Sequence, residues 1–94
     1  MKHQSKGIEL ARKLGISPSR GIEAVLKAQL IAAVEKESEK QKLTHTELAK
    51  RAKLPRSAVT GILSGSLQKV TLDRILRLVE AVGLFPEIKL KKLA

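Results

Sequence analysis

The chain has 94 residues and a formal net charge of +10 at neutral pH, a large basic excess for a single domain. It has no cysteine, and its two histidines, His3 and His45, lie far apart, so we expect neither a disulfide framework nor a zinc site. No apolar run approaches the roughly 20 residues of a membrane span, and no segment has signal-peptide character. With one Phe and no Trp or Tyr, the chain has no set of aromatic platforms for stacking single-stranded bases. We therefore expect a cytoplasmic protein with a polyanionic partner, without a cofactor and without a membrane association.

The basic residues are concentrated in three parts of the chain. Residues 1–20 and residues 43–69 each carry five Lys or Arg against one Glu, and residues 86–94 carry three Lys against one Glu. Residues 21–42 and 70–85 have balanced charge. Scattered surface lysines usually serve solubility, but a basic excess confined to a few segments favours a binding site for a polyanion.

The first segment, KGIELARKLG, predicts a short helix that ends at Gly15. Ser17 or Ser19 is suited to cap the next helix near Pro18. We define residues 1–19 as an N-terminal extension. We expect it to cover part of the following helix, and a docking surface for a protein partner is the alternative.

Residues 20–41 predict the longest helix of the chain. One apolar stripe at helical spacing consists of Ile22, Leu26, Leu30 and Ala33, widened by Val25 and Val34. A second, flatter apolar face consists of Ala24, Ala28, Ile31 and Ala32. A helix that is apolar on two sides must be covered on two sides. We expect the next helices to cover one face, and the N-terminal extension or a second subunit to cover the other.

Two short helices joined by a sharp turn are predicted between residues 43 and 65. Thr44 and Glu47 form the S/T-x-x-E pattern of a capping box, which starts a helix that runs to about Lys53. Pro55 suits the first turn of a second helix that runs to about Leu63. The residues expected on the inner side are Leu48, Ala49, Ala52, Ala58, Val59, Ile62 and Leu63.

The last part of the chain predicts one more helix and then a change of period. Thr71 caps TLDRILRLVEAVG, which Gly83 closes and whose apolar residues are Leu72, Ile75, Leu76, Val79 and Val82. In LFPEIKLKKLA, apolar and charged residues alternate, as in a short strand. An unpaired strand exposes its backbone groups, so we expect it to pair with its copy across a two-fold axis. A frayed tail is the alternative.

The second helix of the pair has an outward face that is short, polar and free of acids. This face consists of Arg56, Ser57, Thr60, Gly61 and Ser64. Glu47 is the only acidic residue between residues 40 and 72. The major groove of DNA is about 12 Å wide and admits one α-helix with its side chains. The spacing therefore favours a helical pair that places its second helix in a major groove.

The stretch LTHTELAKRAKLPRSAVTGILSG resembles the helix-turn-helix of the lambda-repressor-like, or xenobiotic-response-element, family. The agreement covers about residues 22–84 and rests on several spaced positions: Leu43, Thr44, Glu47, Leu48, Ala49, Ser57, Val59, Ile62 and Gly65. His45 stands where Gln is common, and Lys53 stands where Gly is usual, at a turn that often needs a positive φ. The resemblance implies a compact all-α domain of five helices with a short C-terminal strand. The helix-turn-helix would be residues 44–64, in a DNA-binding domain of residues 20–84, followed by a dimerisation strand of residues 85–94.

The resemblance also implies which residues touch DNA. The residues that would read bases lie on the recognition helix, residues 55–63, and are Pro55, Arg56, Ser57, Thr60 and Gly61. Arg56 is suited to a bidentate contact with guanine, and a phosphate contact is its alternative. The family's phosphate contacts map to Thr44 and His45, at the start of the first helix of the pair. Further, secondary phosphate candidates are Lys50, Lys53, Ser64, Ser66 and Lys69. An ordinary surface role is the alternative for His45.

We therefore expect a non-catalytic, sequence-specific regulator of double-stranded DNA that represses as a homodimer on a palindromic operator. Its dimer contacts would come from Phe85, Ile88 and Leu90. The final strand is similar to that of antitoxin-like members of the family, which implies a toxin protein as a further partner. A basic RNA-binding or ribosome-associated protein is the alternative, which the scarcity of aromatic residues opposes. No nucleophile–base set, phosphate loop or metal cluster indicates an enzyme.

Overall fold

The computed structural model describes residues 18–67 and 69–92, and those residues form four α-helices and no strand. The helices are α1 (Pro18–Gln41), α2 (His45–Ala52), α3 (Arg56–Leu63) and α4 (Leu72–Ala81). The predicted all-α class is confirmed, as are these four helices to within a few residues at each end. The predicted helix in KGIELARKLG, which would be the fifth, lies outside the described residues.

The helices pack around one core, with α2 and α3 on one side of it and α1 and α4 on the other. α1 packs most extensively against α4, while α2 lies against both α3 and α4. α1 and α4 run in the same direction, because Lys27 bonds to Val70 just before α4 and the Gln41 Nε2 donates to the Val82 carbonyl at 2.8 Å just after it. The largest fully buried side chains are Val34, Leu48, Val59, Ile62, Ile75 and Leu78. This core supports the α2–turn–α3 pair from behind.

The buried face of α1 differs from the predicted stripe. The buried residues spaced along it are Gly21, Lys27, Ile31, Val34 and Ser38. Ile22 and Leu26, which were expected inside, are 46% and 38% exposed. On α4, Leu72 and Leu76 are likewise 36% and 40% exposed, and Leu78 is fully buried. The predicted stripe of α1 followed its apolar residues. It is wrong at Ile22 and Leu26 because α1 packs Lys27 and Ser38 against its neighbours instead.

Lys27 is buried because its ammonium group has polar partners in the loop before α4. Its Nζ lies 2.6 Å from the Val70 carbonyl oxygen and 3.5 Å from that of Leu67, and 2.7 Å from the Glu23 carboxylate one turn away. The pKa of Glu23 is lowered, first by the hydrogen bond from Lys27 and then by its charge. A buried charge is tolerated only when it is paired and hydrogen-bonded, and these three contacts meet that requirement. They also attach the α3–α4 loop to α1.

All four helices end in the same backbone arrangement. The residue after each last turn has a positive φ: Lys42 (55°), Lys53 (57°), Gly65 (97°) and Gly83 (83°). The next residue then donates its N–H to the carbonyl five residues earlier, at 3.0–3.2 Å, in the pairs Leu43–Ser38, Leu54–Ala49, Ser66–Gly61 and Leu84–Val79. This is the Schellman pattern, in which a hydrophobic residue after the turn packs back onto the helix. Leu43, Leu54 and Leu84 pack against the core in this way.

The predicted C-terminal strand is not present in the described part of the single chain. In the single chain, residues 84–92 have no regular secondary structure. Phe85, Ile88 and Leu90 are 90%, 78% and 90% exposed. A strand forms only when a neighbouring strand satisfies its backbone groups, and the part of this chain that the structure describes supplies none.

Lys53 takes the left-handed conformation that its position requires, so the sequence expectation of a positive φ there is confirmed. An L residue pays about 1–2 kcal/mol in this region, and glycine pays almost none, although glycine loses more chain entropy on folding. We expect Lys53→Gly to raise the free energy of unfolding by about 1 kcal/mol, which raises Tm by about 4–8 °C. Lys53→Ala removes the same ammonium group but keeps the Cβ. A rise in Tm of equal size in both variants would contradict the conformational explanation.

Candidate nucleic-acid interface

The start of α2 is fixed by a complete capping box. The Thr44 hydroxyl accepts from the Glu47 N–H at 3.1 Å, and the Glu47 carboxylate accepts from the Thr44 N–H at 3.1 Å. The Thr44 hydroxyl also donates to that carboxylate at 3.0 Å. The pKa of Glu47 is lowered, first by the Thr44 N–H and then by the Thr44 hydroxyl. Glu47, the only acidic residue of α2 and α3, therefore accepts its hydrogen bonds from within the helix cap.

This cap changes the view of Thr44 as a phosphate contact. A phosphate accepts hydrogen bonds, and both donors of Thr44, its N–H and its hydroxyl, are directed at Glu47. Ser64, also predicted to contact phosphate, donates its hydroxyl to the Gly61 carbonyl at 2.8 Å. Each residue is exposed, but each would have to give up an internal bond in order to donate to DNA.

The turn between α2 and α3 directs the start of α3 outward. Leu54 returns its N–H to Ala49, and Pro55 enters α3 in an extended conformation with φ −62°. Pro55 accepts the first intrahelical bonds of α3, and no side chain caps this helix. The first turn of α3 contains no acidic residue. The partial positive charge of a helix N-terminus is therefore offered beside Arg56, which favours an approaching phosphate group.

The structure places the predicted base-reading residues on the outward side of α3. Pro55, Arg56, Ser57 and Thr60 are exposed, while Val59 and Ile62 on the opposite side are buried. Gly61 is half-buried, and nothing lies within 4 Å of the position that a Cβ would take there. A mid-helix glycine costs about 0.5–1 kcal/mol relative to alanine, and packing does not require this one. Its effect is to leave open space on the outward side of α3.

The structure also brings together two predicted residues that are 15 positions apart. The Nδ1 atom of His45, at the start of α2, lies 3.0 Å from the Thr60 hydroxyl on α3. No pattern in the sequence indicates this contact, because it depends on the angle between the two helices rather than on a repeat or a motif.

The remaining phosphate candidates are exposed and lie at different places around the pair. Lys50 is on α2, Lys53 is in the turn, and Ser66 and Lys69 are in the loop before α4. Sequence reasoning did not assign Lys42, the second lysine with positive φ. It borders an open groove with His45, Thr60 and Ser64, and Glu35 and Glu39 of α1 form the other wall. These two carboxylates would repel phosphate, so we take this wall as the edge of the candidate interface.

Metal-ligand clusters and membrane-spanning helices are absent from the part of the chain that the structure describes. Residues 18–67 and 69–92 contain no cluster of His, Asp and Glu side chains that could hold a metal ion. None of the helices described is long and apolar enough to cross a lipid bilayer.

The model of a protein family described as "Helix-turn-helix domain" matches residues 10–91 of the chain. The chain belongs to this helix-turn-helix family. In the helix-turn-helix domain described here, α2 and α3 are the two helices of the motif. No curated protein and no solved structure matches the chain. Membership of the family indicates a DNA-binding regulator, which agrees with the exposed, acid-free side of α3.

The capping box predicts a pH dependence of stability. Because the pKa of Glu47 is lowered in the folded helix-turn-helix domain, its stabilising effect is fully present above the ordinary glutamate pKa of 4.5. The effect is lost as the pH falls through the lowered folded value. We expect Glu47→Gln to be less stable than wild type at pH 7, and the difference to shrink toward pH 3.

Urea unfolding measured between pH 3 and pH 7 tests this expectation. Glu87→Gln, which removes a negative charge from the exposed tail, controls for the change in net charge. A difference between wild type and Glu47→Gln that stays constant with pH would show that the ionised carboxylate is not what stabilises the cap.

Proposed function

We propose that this protein is a sequence-specific, non-catalytic repressor that binds double-stranded DNA as a homodimer, with α3 in the major groove. The observation that carries the proposal is the composition of the exposed side of α3, which has one Arg, small polar residues and no acid. We take residues 20–84 as the DNA-binding domain and residues 44–64 as the motif. The proposed place of action is the cytoplasm, in association with the nucleoid through DNA binding.

In this proposal Arg56, at the first position of α3, reads a guanine. Pro55, Ser57, Thr60 and Gly61 form the rest of the reading surface. The small size of these side chains allows the backbone of α3 to come close to the bases. Because few long side chains are available, we expect sequence-dependent DNA shape to add to the discrimination.

Phosphate contacts hold α3 in this position. Lys50, Lys53, Ser66 and Lys69 are exposed, and His45 keeps its second ring nitrogen, Nε2, for a partner outside the protein. Thr44 and Ser64 are the weaker candidates because their hydroxyl protons are already donated within the protein.

The proposed dimer is supported by the distribution of exposed apolar side chains. Among the described residues, the large exposed ones lie on α1, α4 and the tail: Ile22, Leu26, Leu72, Leu76, Phe85, Ile88 and Leu90. None lies on α2 or α3. Pairing of residues 85–94 with the same segment of a second copy would satisfy their backbone groups and remove Phe85, Ile88 and Leu90 from water. A two-fold dimer binds two half-sites, hence a palindromic operator.

The resemblance to antitoxin-like regulators supports a toxin protein as a further partner and the operon of the protein itself as the target. The direct test is binding to the DNA upstream of its own gene at near-physiological salt, with random duplex and RNA as competitors. Binding that survives both competitors is expected. Binding lost equally to either competitor would overturn sequence-specific recognition and favour the RNA-binding or ribosome-associated alternative.

Arg56→Ala and Lys50→Ala form a matched pair, since each removes one exposed positive charge. Arg56→Ala should weaken operator binding roughly 10- to 100-fold and random-DNA binding much less, because a bidentate guanine contact is worth about 1–3 kcal/mol. Lys50→Ala should weaken both about equally and lower the salt slope by about one. Fluorescence anisotropy at several salt concentrations measures both effects. An equal loss on both DNAs for Arg56→Ala would make it a phosphate contact.

Deleting residues 86–94 should convert the dimer to monomers and weaken binding to a palindrome. The deletion also removes three lysines, so Lys89→Ser/Lys91→Ser/Lys92→Ser is the matched control for lost charge. Analytical ultracentrifugation should show monomers for the deletion and dimers for the control. A dimer that survives the deletion would move the interface to the exposed apolar residues of α1 and α4.

A further inference from the structure

The contact between His45 and Thr60 joins the start of α2 to the reading side of α3. The two atoms, His45 Nδ1 and Thr60 Oγ1, are 3.0 Å apart, which is a hydrogen-bond distance. His45 is half-buried and Thr60 is exposed, so the bond lies at the rim of the candidate interface. Thr60 is one helical turn after Arg56 and is placed to meet the same groove.

This bond selects one orientation of the threonine. In a helix, threonine divides between two χ1 rotamers, and a change from one to the other moves both its hydroxyl and its methyl group to new directions. Because Cβ is a stereocentre, a hydroxyl of this exposed residue that is held toward α2 by His45 also fixes the direction of the methyl group. The choice matters for recognition, because a hydroxyl can bond to any base, whereas a threonine methyl group pairs with the C5 methyl of thymine.

The tautomer of His45 fits the same arrangement. When Nδ1 accepts from the Thr60 hydroxyl, the neutral ring carries its proton on Nε2. The Nε2–H group is then free to donate to a phosphate oxygen, as the sequence predicted for this residue. One ring would bond to the DNA backbone and, at the same time, fix the neighbouring base-reading side chain.

We propose that His45 is a positioning residue that turns the hydroxyl of Thr60 away from the bases, so that α3 reads a thymine through the Thr60 methyl group. This inference rests on the proposed DNA-binding function and names one base of its target. His45 touches no base in this proposal, and its effect on specificity acts through Thr60.

The test uses the duplex that wild-type protein recovers from a random-sequence library. Each thymine of one half-site is replaced in turn by uracil, which removes only the C5 methyl group. We expect one position to lose about fourfold in affinity, the effect of burying one methyl group. Thr60→Ser, which keeps the hydroxyl and loses the methyl, should show no loss at that position.

Variants of His45 separate positioning from a general effect on folding. His45→Ala should reduce the thymine-to-uracil loss from about fourfold to about 2.5-fold, because the threonine is released into both rotamers. His45→Asn, whose amide group lies near the place of Nδ1, should retain the loss. In Thr60→Val, both positions on Cβ hold a methyl, so the loss should persist, and adding His45→Ala to this variant should not change it.

Two results would overturn the inference while leaving the proposed function standing. The first is that no thymine of the selected duplex shows a loss of affinity on replacement by uracil that disappears in Thr60→Ser. The second is that the loss of affinity is the same in His45→Ala as in wild type. If wild-type protein enriches no duplex from the library, the proposed function itself fails and this inference fails with it.

Discussion

The buried ammonium group of Lys27 is the contact on which the arrangement of the helices depends. It bonds to the Val70 and Leu67 carbonyl groups and pairs with Glu23, so it connects the first half of α1 to the loop that leaves α3. At the other end of α1, Gln41 connects to Val82 after α4. These two polar links set α1 and α4 side by side. Because α1 and α4 lie side by side, they pack together behind α2 and α3.

The surface is divided between polar and apolar functions in a way that follows from this arrangement. With α1 and α4 paired behind the core, the side of α3 that carries Val59 and Ile62 is buried and the opposite side is open. The open side carries one Arg and small polar residues but no acid, and Glu47, the one acid of the helical pair, is bound in the cap of α2. The apolar residues that the core does not use, such as Leu26 and Leu76, lie on α1 and α4 instead. The same packing thus separates a face suited to a polyanion from a face suited to another protein surface.

The sequence predicted the elements well because their ends carry local signals. The Thr44–Glu47 box, Pro55, Thr71 and Gly83 each act within one helical turn, and the observed helices begin or end beside them. The burial of Lys27 and the exposure of Leu72 were not predictable in this way. The burial of Lys27 depends on where a loop from elsewhere in the chain brings its carbonyl groups, and the exposure of Leu72 depends on how α4 is rotated in the fold. The outward position of Arg56 and Ser57 followed from helical spacing, whereas the bond between His45 and Thr60 depends on an interhelical angle that no local pattern encodes.

Lys42 and Lys53 are subject to two opposed requirements. Their left-handed backbone is unfavourable in every folded molecule, whether or not DNA is present, while their ammonium groups can contribute to the proposed DNA binding only beside a polyanion. Random variants screened for heat resistance alone should therefore accumulate glycine at the ends of α1 and α2. Such a screen would raise the thermal stability of the domain and, with the same substitutions, remove positive charge from the rim of the interface. If evolution or a laboratory selection retains DNA binding, lysine should remain at these two positions even though the backbone conformation favours glycine.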